Sequence, residues 1–185
     1  MSNKLLFFIF LCFFAACTSN PAPNTSTTTP RFFDLKGFFE QEIAYLEAQS
    51  IKVQKTIRQN GKEEQQKVHI GNWKQELGFF IESDLNKPSW RDQYSIDSSY
   101  SEDKKKLRLH YKSKDEELSI KALDVEIVSD TVQSIMIIKN TNNQVYTAQQ
   151  YLTYFPKKYY KINQTQDIVL LSEDDYSIEA RYLYE

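Results

Sequence analysis

The chain has 185 residues, a formal charge of −2 and 41% hydrophobic residues, enough for one domain with a real core and too apolar for intrinsic disorder. The balance of 23 Lys and Arg against 25 Asp and Glu excludes the strongly basic body with which nucleic-acid binders gather phosphates. Four glycines, two histidines and two cysteines leave little material for a phosphate loop, a metal cluster or a disulfide scaffold, so no cofactor is expected.

At the N-terminus, Lys4 precedes a charge-free run from Leu5 to Ala16. Such a run is too short to span a bilayer comfortably and fits the apolar core of an export signal. It closes in Phe14-Ala15-Ala16-Cys17, which resembles a bacterial lipoprotein signal, although Phe14 stands where that signal usually has Leu. The resemblance implies cleavage before Cys17, loss of Cys12 with the signal peptide (1–16), and lipidation of the Cys17 thiol. Two or three acyl chains of the palmitate kind hold a protein on a membrane where one does not. The mature chain is then expected to have no disulfide, no cysteine nucleophile and no cysteine metal site.

Residues 17–31 read as the lipidated cysteine and a flexible tether, being rich in Pro, Ser, Thr and Asn without apolar periodicity. Surface-exported lipoproteins of the Bacteroidota resemble one another in carrying acidic residues soon after the cysteine. Here the first acidic residue is Asp34, which points to the periplasmic face of the outer membrane.

The remaining residues, 32–185, are expected to form a single α+β domain. Asp34 caps a helix over 35–49, on which Leu35, Phe39, Ile43 and Leu46 form one stripe beside Phe38 and Glu42. β-Branched residues from Ile51 to Ile57, then Asn60-Gly61, then Lys62 to Ile70 predict a hairpin with a type I′ turn. Asn72 caps a second helix with Trp73, Leu77, Phe80, Ile81 and Leu85 on its apolar face, and Asn86-Lys87-Pro88 ends it. Residues 88–105 read as an irregular crossing.

From 107 onward the period is close to two, which predicts six or so antiparallel strands in a meander. Leu107, Leu109 and Tyr111 alternate with Arg108 and His110. A phase change at Ala122-Leu123 marks a bulge, Val132 to Ile138 suits a central strand, and Thr141-Asn142-Asn143 suits a turn. Tyr146 to Tyr154, Tyr159 to Ile162, Asp167 to Leu171 and Tyr176 to Tyr184 supply the rest. The expected architecture is two amphipathic helices and a β-hairpin followed by a curved antiparallel meander, wrapped round the helices as a half-barrel.

Lys55-Thr56, Asn60-Gly61-Lys62, Trp73-Lys74-Gln75-Glu76-Leu77 and Asp84-Leu85-Asn86-Lys87-Pro88 resemble a shared N-terminal block of uncharacterised small lipoproteins of the Bacteroidota. That family carries no assigned activity, so the resemblance implies no catalytic residue. Asp130-Thr131-Val132 is similar to the O-glycosylation acceptor of that phylum, which makes Thr131 a candidate acceptor.

His69 and His110 stand on separate strands, without a carboxylate or serine at a spacing that implies contact, and no metal site is expected. Acidic runs at 63–64, 115–117 and 173–175 fall where turns are expected. No catalytic motif is present. The excess of tyrosine, twelve in all, is the unusual feature. Tyr151, Tyr154, Phe155, Tyr159 and Tyr160 cluster about a Pro-Lys-Lys turn and make the candidate binding surface. The reading is a non-catalytic, membrane-anchored envelope lipoprotein with an envelope protein partner. The alternatives are a carrier of a small apolar ligand and an envelope glycan hydrolase.

Overall fold

A computed structural model describes residues 30–169 and 174–184. The signal peptide, Cys17 and most of the tether lie outside the described residues. Helix α1 spans Leu35–Glu47, and the Asp34 carboxylate accepts from the Gly37 N–H at 2.9 Å. A Cβ at Gly37 would collide with that carboxylate as it is placed, so a side chain there would require the Asp34 carboxylate to shift. Leu35, Phe39, Glu42 and Leu46 are the buried residues of α1.

Strands β1 (Lys52–Gln59) and β2 (Lys62–His69) form the expected hairpin. Its turn residues have φ of 49° at Asn60 and 79° at Gly61, the left-handed pair that a type I′ turn requires. The second helix is two short ones, α2 (Trp73–Glu76) and α3 (Gly78–Ile81), separated by Leu77 at φ −95° and ψ 10°. Gly78 is the weakest helix former of the segment, and the chain turns there so that both Leu77 and Phe80 are fully buried.

Residues 88–105 contain a 3₁₀ turn, Pro88–Trp90, and a regular strand, β3 (Tyr94–Tyr100), where an irregular crossing was expected. The strand is exposed on both faces after Tyr94, so its sequence shows no apolar alternation. β4 (Lys106–Ser113), β5 (Ile120–Val128), β6 (Thr131–Asn142), β7 (Tyr146–Phe155), β8 (Tyr159–Ile168) and β9 (Asp174–Leu183) complete the meander.

Three boundaries differ from the sequence reading. β8 runs unbroken through Asn163–Gln166, where a gap between two strands was expected, because those polar residues are paired on both sides; residues 170 and 171 of the second expected strand lie outside the described residues. β6 continues through Thr141 and Asn142, which pair with Ala148 and Thr147. The phase change in β5 is a register shift between Ile120 and Ala122, with a second between Glu126 and Ile127.

The nine strands among the described residues form one open antiparallel sheet in the order β2-β1-β9-β8-β7-β6-β5-β4-β3. β7 lies at its middle and β6 beside it. The N-terminal hairpin joins the meander through β1, whose eight residues pair with β9 from Lys52↔Leu183 to Gln59↔Tyr176. That pairing puts α1, which precedes β1, and α2 and α3, which follow β2, against one face of the sheet. The core lies between them, where Phe39, Phe80, Tyr154 and Tyr160 meet at centroid distances of 4.8–6.0 Å.

Gly61 has open space around its α-carbon, so a side chain there costs backbone strain alone. Gly61→Ala is expected to lower stability by about 1 kcal/mol in urea denaturation, without loss of the fold.

Candidate functional site

Strand alternation sorts the side chains onto two faces. One row across the covered face runs Lys55, Ala180, Tyr160, Tyr154, Ile135, Val125 and Leu109 through successive pairings. Tyr154 and Tyr160 are therefore buried core residues and leave the candidate binding surface. Tyr151, Phe155 and Tyr159 alternate with them and lie on the opposite face. The predicted cluster is thus split between two sides of the sheet.

The buried tyrosines tie the helices to the sheet. Tyr154 O–H donates to Glu42 Oε2 on α1 at 2.9 Å. Tyr160 O–H donates to Glu76 Oε1 on α2, and Lys55 Nζ lies 2.7 Å from the same oxygen, the two charged side chains being 18% and 16% exposed. A carboxylate in such surroundings is tolerated only with donors in place, and each has one or two. The buried Tyr182 hydroxyl feels Glu42 and Glu76 but makes no aligned hydrogen bond among the described residues. Burial, with the nearby carboxylates, holds the phenols of Tyr154, Tyr160 and Tyr182 well above their ordinary pKa. Burial alone pushes Tyr94 up to about 12, and its hydroxyl donates to the Ile120 carbonyl at 3.0 Å.

The other face carries no helix among the described residues. Its centre is apolar and aromatic: Met136 (45% exposed), Ile138, Tyr151 (44%), and the stacked rings of Phe155 and Tyr159, 4.7 Å apart. Arg181 lies over the Tyr159 ring at 4.8 Å and pairs with Glu179 at 2.6 Å.

Toward β3, this face becomes a groove of about 420 Å³ lined by Ser99, Lys106, Arg108, Asp124, Glu126 and Met136. Lys106 pairs with Glu126 and Arg108 with Asp124, each at 2.7 Å. The Asp124 carboxylate makes the Arg108 guanidinium hold its proton more firmly. His110 Nδ1 lies 3.0 Å from Asp124 Oδ1, and with the proton on Nδ1 it donates there.

The register of β4 against β5 makes His110 and Asp124 direct partners, which corrects the expectation that His110 lacks a carboxylate. The signal lay in the alternation: Arg108 and His110 share a phase, and so do Asp124 and Glu126, but only the loop at 114–119 sets which meets which. His69 is exposed at the end of β2. Thr131 is exposed at the start of β6, after Ser129 and Asp130 at φ 48° and 61°.

Asp124 orients His110, yet no serine or other nucleophile bonds to the imidazole among the described residues. Among those residues no group of three His, Cys, Asp or Glu is placed to hold a metal, and no helix is long and apolar enough to cross a membrane. The arrangement offers an apolar centre, planar aromatic surface and oriented charges of both signs.

Tyr154→Phe leaves Glu42 buried without its donor and is expected to cost about 1–3 kcal/mol in urea unfolding. In the unfolded chain tyrosine titrates near about pH 10, and the native state holds its protons to higher pH. The stabilisation from the buried phenols is therefore whole below about pH 10 and is lost as the pH rises above it. Urea midpoints measured upward from about pH 8 are expected to stay level and then fall, less steeply in Tyr160→Phe.

Comparison with known proteins gives no family: no family model, no curated protein and no solved structure matches the chain.

Proposed function

We propose that the chain is a non-catalytic lipoprotein of the bacterial cell envelope that docks an envelope protein on the uncovered face of its sheet. Anchorage in this reading comes from lipid on Cys17, at the periplasmic face of the outer membrane, and it is carried by the resemblance of residues 14–17 to a lipoprotein signal. The observation that carries the docking surface is its anatomy. Met136, Ile138, Tyr151, Phe155 and Tyr159 form an apolar centre, flanked by Arg108–Asp124 and Lys106–Glu126 on one side and Arg181–Glu179 on the other. A protein interface has the same layout, with aromatic anchors in the middle and charges at the rim.

The carrier reading has less support, because aromatic rings occupy the space between helices and sheet. A hydrolase needs carboxylates facing substrate. Glu42 and Glu76 are instead turned inward onto phenols, and Asp124 is engaged by Arg108 and His110.

Crosslinking in intact cells, followed by purification from solubilised outer membrane, tests this reading. One stoichiometric envelope protein is expected with the native chain. Cys17→Ser is expected to abolish its recovery, and the pair Met136→Lys and Tyr151→Lys to lower it about tenfold or more. Equal recovery with the lysine variants overturns the docking surface. A bound lipid or glycan without a protein overturns the reading as a whole.

A further inference from the structure

The two edges of the sheet differ in a way that points to self-association. β2, at one edge, has charge at Lys62, Glu63, Glu64 and Lys67, the usual protection of an unpaired strand. β3, at the other edge, has only Asp97, and the residues after Tyr94 are all exposed.

The hydrogen bonds flanking β3 define its free edge. Lys114 N–H donates to the Gln93 carbonyl at 2.8 Å and Ser101 N–H to the Lys106 carbonyl at 2.9 Å. The odd-numbered residues between them therefore turn their backbone groups to β4, and Tyr94, Ile96, Ser98 and Tyr100 turn theirs outward. The same four residues share the phase of the covered face, where Tyr94 is buried, Ile96 is 48% exposed and Tyr100 is 65% exposed. Leu107 and Leu109 continue that phase on β4, opposite Tyr100 and Ser98.

We infer that β3 pairs antiparallel with β3 of a second copy of this chain, with Ser98 at the two-fold axis. That register sets Ile96 against Tyr100 of the partner subunit and Tyr100 against the partner subunit's Ile96. Both are aromatic–β-branched pairs of the kind that stabilise neighbouring strands. On the other face, Asp97 meets Ser99 of the partner subunit, so no like charges are opposed. A register centred on Asp97 would set the two carboxylates face to face, and the Ser98-centred one avoids it.

The edge is thus self-complementary, as an isologous contact must be. The two copies build one continuous sheet and cover the only apolar side chains that β3 exposes. The pairing uses an edge, so it leaves the uncovered sheet face, where the envelope partner is proposed to dock, free in both copies.

The test replaces Tyr100 with the photo-crosslinker benzoylphenylalanine in the full-length chain in cells. A dimer-sized adduct is expected, with both crosslinked peptides coming from β3. Ile96→Lys is expected to lower its yield about tenfold, since the substitution acts twice in a symmetric pair. Ile96 is exposed, and circular dichroism of the variant checks that the fold persists. The same crosslinker at Gln66, on β2, is expected to give no self-adduct. Absence of a self-adduct at position 100, a second site outside β3, or an unchanged yield in Ile96→Lys overturns the inference. So does an adduct from position 100 to a different protein, which would make the edge a site for a foreign strand.

Discussion

The pairing of β1 with β9 is the constraint on which the rest of the molecule depends. It joins residues more than a hundred positions apart and converts a hairpin and a seven-strand meander into one sheet. Because α1 leads into β1 and α2 and α3 follow β2, the same pairing commits these three helices to one face. Thirteen, four and four helical residues are the material available to cover nine strands. One face is buried, and no helix among the described residues covers the other.

The covered side shows how a small layer of helix is held. Leu35, Phe39 and Leu46 of α1 and Phe80 of α3 supply apolar burial, and two buried carboxylates supply position. Glu42 meets Tyr154 near the middle of the sheet, and Glu76 meets Tyr160 and Lys55 nearer its β1 side. These contacts are directional, so α1 and α2 each seat in one place and not merely on a greasy surface. Tyrosine suits the task because one end of its ring is apolar and the other donates a proton. Part of the tyrosine excess is therefore a property of the core, while two of the other tyrosines, Tyr151 and Tyr159, belong to the open face.

Much of this was legible in the sequence, and the gaps have physical causes. The Asp34 and Asn72 caps, the Asn60-Gly61 turn and the alternation of Tyr176, Ile178, Ala180 and Tyr182 each depend on near neighbours, and each appears as read. β3 was not legible because its sequence, Tyr-Ser-Ile-Asp-Ser-Ser-Tyr, carries no apolar period, and only pairing with β4 makes it a strand. The polar half of β8 is a strand because β7 pairs with it through Ile168 and β9 through Gln166. Tyr154 could have been separated from Tyr151 by the buried phase of Leu152, whereas the meeting of His110 with Asp124 depends on a register that a loop sets. The face a residue occupies can be read locally; its partner on the next strand cannot.

The central claim is that the open face is the working surface. Oxidative footprinting of tyrosine and methionine side chains, in intact cells and on the purified protein, measures this directly. Met136 and Tyr151 are expected to be modified readily in the purified protein and protected in cells, while Tyr154 and Tyr160 stay protected in both. Equal modification of Met136 and Tyr151 in the two settings would contradict the account.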